Sequence, residues 1–286
     1  MIIVTGATGQ LGRLVVEGLL AAVPADQVGV SVRDSTKAEA LAERGVRVRQ
    51  GGFADPASLR HAFEGASRVL VISSNSAGDS AVRHHRNAID AAMAVGAGRV
   101  VYTSQMAAGP DSAFAPMLDH AATEIALQES GVPFTSLRNG FYAASAIQFL
   151  GRGLASGSLP LPADGPVSWT AHEDLARAAV IALTEEGRLD GITPPLTSSQ
   201  ALTFHDLAAI ATEVTGRDVS RTVISDDEFK RNGLAHGLPE AQVDMGLGLF
   251  AACRAGEFSV VDPTLEELLG RRPRTFREVF TESQAV

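Results

Sequence analysis

The sequence predicts an α/β fold, a Rossmann-type doubly wound parallel sheet with a smaller C-terminal substrate lobe. Three observations predict it. Short apolar segments alternate with helical patterns over the first half of the chain, a glycine-rich turn directly follows the first apolar segment, and the alternation breaks after Asn139. Regular alternation of this kind calls for parallel strands with helices on both faces. Their crossovers are right-handed, and ligands bind at the carboxyl ends of the strands.

The strand candidates lie at 2–5, 28–32, 46–49, 68–72, 99–103 and 133–137. Helical patterns fall between them, at 10–22, 35–44, 56–64, 80–96 and 117–130. Residues 151–166, GRGLASGSLPLPADGP, are rich in Gly, Pro and Ser and predict a loop. The apolar stretch 172–184 predicts a helix that packs back on the core, 204–215 a helix behind Thr203, and 241–258 another. The expected division is an NAD(P)-binding Rossmann domain over 1–150 and a smaller substrate-side lobe over 151–286.

Composition excludes several function classes. The chain has 286 residues, of which 45% are hydrophobic, enough to bury a core without disulfide or metal staples. A net charge of −9 argues against direct binding of nucleic acid, which needs clustered Lys and Arg. The single cysteine, Cys253, excludes an internal disulfide and a multi-cysteine zinc site, and no metal site is expected. No apolar run reaches the ~20 residues that span a bilayer, so no membrane partner is expected. The absence of a basic leader and the sparse cysteine predict a cytoplasmic protein. Oligomeric state is open, with a homodimer one option.

Residues 4–12 read VTGATGQLG. A plain strand-to-helix turn needs one glycine; Gly6, Gly9 and Gly12 form a dinucleotide pattern. Gly6 allows the tight turn, Gly9 lets the backbone approach a pyrophosphate, and Gly12 lets the helix sit close to the sheet. The helix N-terminus adds free N–H groups and partial positive charge.

The second strand candidate ends at Val32, and Arg33 follows. An acidic residue there favours NAD, whereas an arginine favours the 2′-phosphate of NADP. Lys37 is placed to add a second charge. Asp34 is either a ribose acceptor or a helix cap. Phe53, after two glycines, either lies on an adenine or packs in the core. Ser73, Ser74 and Asn75 end one strand candidate, and Thr103 and Ser104 end the next; small hydroxyls here line a nicotinamide ribose path. Met106 follows them toward the substrate. Asn139 sits where the sixth candidate meets the cleft, and Phe141 and Tyr142 either wall a flat substrate or pack inside.

Together these residues resemble the NmrA-like branch of the atypical short-chain dehydrogenase/reductases, and within it the bacterial NADPH-dependent quinone oxidoreductases of type 2 and triphenylmethane reductase. The matching pieces are VTGATGQLG, VPADQV at 23–28, VR at 32–33, YTS at 102–104, HAATE at 120–124, LRNGFY at 137–142 and LTFHDLAAI at 202–210. The resemblance implies an NADPH-binding domain with substrate held against a small lobe. It implies cofactor contacts from Gly6, Thr8, Gly9, Gln10, Leu11, Arg33, Ser73 and Ser74. The branch also includes regulators that bind the dinucleotide without turning it over, so a non-catalytic NADP sensor stays open. A pathway-specific reductase or isomerase of an aromatic metabolite stays open too.

Many short-chain dehydrogenases pair a Tyr with a Lys four residues on, which lowers the phenol pKa. Here Tyr102 is followed at that spacing by Met106 and Tyr142 by Ala146, and the only lysines are Lys37 and Lys230. The dyad is therefore expected to be absent. His120 stands where some relatives carry a lysine. It either donates a proton or hydrogen bond to substrate, or caps the helix or pairs with Glu124 at i+4. A site this poor in acids suits a small conjugated, electron-poor acceptor such as a quinone or an aromatic dye, because a hydroquinone anion is delocalised and takes its proton from water. The expected candidates for the chemistry are His120, Asn139 and Tyr142.

Overall fold

The computed structural model describes residues 1–285; Val286, the last residue of the expected lobe, lies outside them. In chain order the first half runs β1 (Ile2–Thr5), α1 (Gln10–Ala22), β2 (Val28–Val32), α2 (Glu39–Glu43), β3 (Arg47–Gln50), α3 (Pro56–Phe63), β4 (Arg68–Val71), α4 (Asp79–Ala94), β5 (Arg99–Gln105), α5 (Pro116–Ser130) and β6 (Phe134–Asn139). A short 3₁₀ turn, Ser35–Ala38, precedes α2. The second half runs β7 (Phe141–Tyr142), α6 (Ala143–Ser156), β8 (Ser158–Pro162), β9 (Trp169–Thr170), α7 (His172–Thr184), β10 (Gly191–Ile192), α8 (Phe204–Thr215), β11 (Ser220–Ile224), α9 (Asp226–Ala235), α10 (Glu240–Arg254), α11 (Thr264–Leu269) and α12 (Phe276–Ser283).

The main sheet has seven parallel strands in the order β10-β6-β5-β4-β1-β2-β3. Its strands read as continuous apolar runs because both faces are covered. On one face the apolar residues of α1 and α7 cover Val4, Val30, Val101 and Leu137. On the other, α3, α4 and α5 cover Ile3, Val69, Val71 and Tyr102. The strand order reverses between β1 and β4, which opens a crevice at their carboxyl ends. Thr5 holds that point together: its hydroxyl donates to the Leu70 carbonyl at 3.1 Å and accepts from the Ile72 N–H at 2.9 Å.

Of the stretch 151–166, only 163–166 is the loop its composition predicts. α6 continues through Gly151 and Gly153 to Ser156, and β8 pairs in parallel with β11. Gly153 serves packing here, since a Cβ on it would stand 3.1 Å from Val219 Cγ1. A third apolar cluster joins α6, α8, α10 and α12 around Trp169, Phe204, Phe250 and Phe258. No helix among the described residues is long and apolar enough to cross a membrane.

The outer edge, β3, is charged. Arg47 donates to the Glu64 and Ala62 carbonyls at 2.7 and 2.9 Å, and Arg49 to the His61 carbonyl and the Glu64 carboxylate. These guanidinium groups satisfy the C-terminal carbonyls of α3.

Candidate active site

The glycine turn adopts the conformation its spacing predicts. Gly6 has φ +61, a left-handed value that favours glycine, and its carbonyl accepts the Gly9 N–H at 3.0 Å. A Cβ on Gly12 would lie 2.2 Å from the Gly6 oxygen and 2.8 Å from Ala7 Cα, so only glycine lets α1 start here. Gly9 is the N-cap of α1, and no side chain caps its first turn. Beyond the Gly9 N–H, the N–H groups at that end have no side-chain partner and lie beside the exposed residues Gly6, Thr8, Gly9 and Gln10. Leu11 is buried in the core beneath, which leaves its backbone N–H as the part available to a ligand.

Arg33 and Lys37 are exposed, and neither side chain forms a hydrogen bond or ion pair among the described residues. They line different spaces. Arg33 borders a cavity of about 680 Å³ with Ser35, Arg49, Gln50, Ser58 and His61. Lys37 borders a groove of about 840 Å³ with Thr8, Gln10, Arg13 and His172. Asp34 is the helix cap: its carboxylate accepts from the Thr36 N–H at 3.1 Å and its hydroxyl at 2.6 Å. These bonds hold the Asp34 carboxyl below its ordinary pKa. Phe53 is half-buried against the core, with its ring stacked on His84 at 6.3 Å. The core reading of that residue is the one this packing favours.

At the ends of β4 and β5 the hydroxyls divide between the two faces of the sheet, as strand alternation requires. The Thr103 hydroxyl accepts the Ser73 N–H at 2.9 Å and donates to Ser73 Oγ at 3.5 Å. It thus braces Ser73. Ser104 points the other way, which corrects its expected place on the cofactor path: its buried hydroxyl donates to Glu124 at 2.8 Å. Ser74 is half-buried, and Asn75 is exposed at the rim.

His120 is also placed differently from one expectation. Its Nδ1 lies 2.7 Å from the Tyr102 phenol, and it forms no hydrogen bond to Glu124. The Glu124 carboxylate is taken up by Ser104, by Ser136 at 3.0 Å and by Arg138 at 2.7 and 3.1 Å. A buried charge needs such saturation. Burial moves the pKa of His120 down to about 4, with Glu124 acting against it, and pushes the Tyr102 phenol upward. Both groups are uncharged at neutral pH.

Asn139 ends β6 opposite Gln105 of β5. It is buried, and among the described residues neither its Nδ2 nor its Oδ1 meets a partner in hydrogen-bonding geometry; Gln105 Nε2 is in the same condition. Orphaned buried amides are rare and mark places where a ligand or water belongs. Tyr142 stacks on His172 with ring centroids 4.3 Å apart. Burial raises its phenol pKa, and the nearby Asn139 amide opposes that rise. Phe141 and Met106 belong to the C-terminal apolar cluster, Phe141 with ring contacts to Phe114, Trp169 and Phe258. The three expected catalytic residues thus fall into two groups: Asn139 beside Tyr142, and His120 on Tyr102.

Reasoning from sequence missed His85, Tyr102 and Gln105 as parts of this region. The available signal was parity, since Tyr102 and Ser104 must face one side of β5 and Thr103 and Gln105 the other. Lys230 is tied at the surface to Asp244 and Glu240, at 2.8 and 2.9 Å, far from any tyrosine–lysine dyad.

The sequence pattern described as the NmrA-like family matches residues 1–272. Quinone oxidoreductase 2 of Escherichia coli (strain K12) is 36% identical over 97% of this chain and 96% of its own. The crystal structure of an E. coli NADPH-dependent quinone oxidoreductase complexed with NADPH superposes with a TM-score of 0.93, at 34% identity, over 99% of this chain and 100% of the other. Citrobacter sp. triphenylmethane reductase complexed with NADP(H) gives 0.91, at 36% identity, over 100% of both chains.

Proposed function

The chain belongs to the NmrA-like family, and on that premise we propose that it is an NADPH-dependent oxidoreductase of quinone-like or other conjugated, electron-poor acceptors. The observation that carries the proposal is the glycine cradle, where a Cβ at Gly12 would strike the Gly6 carbonyl and the end of α1 stands open. When bound, the nicotinamide supplies a hydride to the acceptor. The chain supplies the rest. N–H groups of Gln10 to Gly12 receive the pyrophosphate, with Thr8 and the Gln10 side chain beside it. Arg33 grips the 2′-phosphate, with Lys37 adding charge from the neighbouring groove. Ser73, Ser74 and Asn75 flank the nicotinamide ribose. The unpartnered amide of Asn139 takes a polar group of the nicotinamide or the substrate.

The acceptor class follows from acidity. With the Tyr102 phenol pushed up, His120 at about 4 and no lysine four residues after either tyrosine, the site holds no strong acid at neutral pH. A quinone tolerates this. It takes up the hydride to give a delocalised hydroquinone anion, and water supplies the proton; the balance is quinone, NADPH and a proton giving hydroquinone and NADP⁺. An isolated ketone needs stronger help at its oxygen.

Residues 1–150 with α7 make the cofactor-binding part and 151–286 the smaller lobe in this reading; the C-terminal apolar cluster supports it while also drawing in Ala143, Ala146 and Leu150 of α6, and β10 extends the main sheet. The cytoplasm, with its NADPH supply, is the compartment it implies. Mixing the purified protein with NADPH and a panel of quinones, and following the nicotinamide absorbance, tests the proposal. Loss of the band with at least one quinone is expected. No turnover above the protein-free rate with any acceptor removes it, and tight binding without turnover leaves the sensing role.

A further inference from the structure

The bonds around Tyr102 determine where each proton lies. The Ser74 backbone N–H donates to His85 Nε2 at 2.9 Å. That nitrogen is an acceptor, so the neutral ring of His85 carries its proton on Nδ1. His85 Nδ1 lies 2.8 Å from Thr123 Oγ1 and 3.4 Å from the Tyr102 phenol oxygen. The Thr123 hydroxyl donates to the Asp119 carbonyl at 2.8 Å, and so it accepts from His85. The single Nδ1 proton of His85 is engaged by Thr123, so this nitrogen, 3.4 Å from the Tyr102 phenol, cannot accept the phenol's proton. The phenol's proton goes to His120 Nδ1, 2.7 Å away. A neutral imidazole that accepts at Nδ1 carries its proton on Nε2. His120 Nε2 has no hydrogen-bond partner among the described residues, and it is not one of the fully buried atoms lacking one. His120 is half-buried, and this nitrogen keeps contact with solvent.

We propose that Tyr102 and His85 are positioning residues that hold His120 as the neutral Nε2–H tautomer, a fixed hydrogen-bond donor to the carbonyl oxygen of the acceptor. The inference deepens the reductase reading and rests on it for the identity of the acceptor. The series of bonds starts at the Ser74 backbone, at the end of β4, and reaches the imidazole through β5. One end is thus anchored beside the cofactor crevice. Tyr102 from β5, His85 from α4, and Asp119 and Glu124 from α5 are the titratable groups around the ring; Arg138 from β6 neutralises Glu124. Burial, aided by the neighbouring His120 and His84, takes the pKa of His85 down to about 3, so the bond pattern persists through the neutral range. A donor held in this form polarises a carbonyl without depending on pH, unlike an imidazolium acid.

The test uses the full chain labelled with ¹⁵N-histidine, the His120 ring assigned by its loss in H120Q. We expect an unprotonated Nδ1, a protonated Nε2 and no titration between about pH 5.5 and 8.5, the window in which an ordinary imidazole changes charge. Y102F removes the donor to Nδ1. In it His120 should become a mixture of tautomers and titrate nearer the ordinary value, while kcat falls about tenfold and KM for NADPH is unchanged. A wild-type ring with its proton on Nδ1, a ring that titrates in that window, or a Y102F spectrum identical to wild type overturns the proposal. Should Y102F fail to fold, the wild-type spectrum decides alone. A fixed Nε2–H tautomer in a protein that reduces no quinone supports the inference and removes the reductase reading. Turnover with a freely titrating His120 does the reverse.

Discussion

Gln105 and Asn139 face each other at the carboxyl ends of β5 and β6, and Gln105 Nε2 with both amide atoms of Asn139 lacks a hydrogen-bond partner among the described residues. Each buried group left this way costs the free protein about 1–3 kcal/mol. A ligand carbonyl or carboxamide reaching these strand ends removes that cost. The pair therefore trades stability of the empty protein for affinity.

Asn139→Leu tests that trade, because it keeps the volume and removes the unsatisfied amide. Thermal stability without nucleotide should be equal or higher. The stabilisation given by saturating NADPH should shrink, and kcat/KM should fall about tenfold or more, a loss of about 1.4 kcal/mol in the transition state. Melting curves with and without NADPH, together with steady-state rates, check it. A variant less stable when empty yet fully active contradicts the account.

Gly12→Ala introduces the Cβ that would stand 2.2 Å from the Gly6 carbonyl. The helix must shift away from β1, at a cost of about 1–3 kcal/mol, and the cradle opens with it. Denaturant unfolding should show the loss, and calorimetry should show no NADPH binding.

Arg33→Ala removes a guanidinium that has no partner among the described residues. Stability should stay within about 0.5 kcal/mol. Preference for NADPH over NADH should drop about 10- to 100-fold, the range expected for charge-assisted bonds to a phosphate. Lys37→Ala should do less, since Lys37 lines the neighbouring groove. Initial rates with both cofactors measure the ratio.

Buried neutral histidines make the fold sensitive to acid. In the unfolded chain His85 and His120 take up protons below the ordinary imidazole value of 6.5, whereas in the folded chain they resist until about 3 and 4. Between those limits the unfolded state binds more protons, so stability rises with pH and falls as pH drops below 6.5. The slope reaches about 1.4 kcal/mol per pH unit for a fully buried group such as His85. His85→Gln should flatten it. Urea unfolding of both proteins at several pH values down to about 4.5 compares the slopes.

How much of this was legible in the sequence depends on which signal each residue sends. α1 and β2 match the expected limits, because apolar periodicity and glycine punctuation are local and strong. The turn glycines were readable for the same reason: a spacing of three after a strand has few uses. Most of the stretch 151–166 was misread because Gly153 looks like a breaker in sequence and is a contact with Val219 in space. Ser104 and His120 show a second limit. Residue type placed both near the strand ends, yet the side of the sheet decides their partners, and Glu124 and Tyr102 are 20 and 18 residues away along the chain. The partner of Tyr142, His172, lies further still, on a helix whose packing no local pattern specifies.

The arginines of β3 have a consequence beyond the crevice. An open strand edge invites another chain to dock its own backbone alongside, which is how sheets extend into fibres or run on between subunits. Here the guanidinium groups of Arg47 and Arg49 fold over toward α3 and lodge on its last carbonyls, leaving a bulky cationic border. A self-association that continues the sheet across this border is disfavoured.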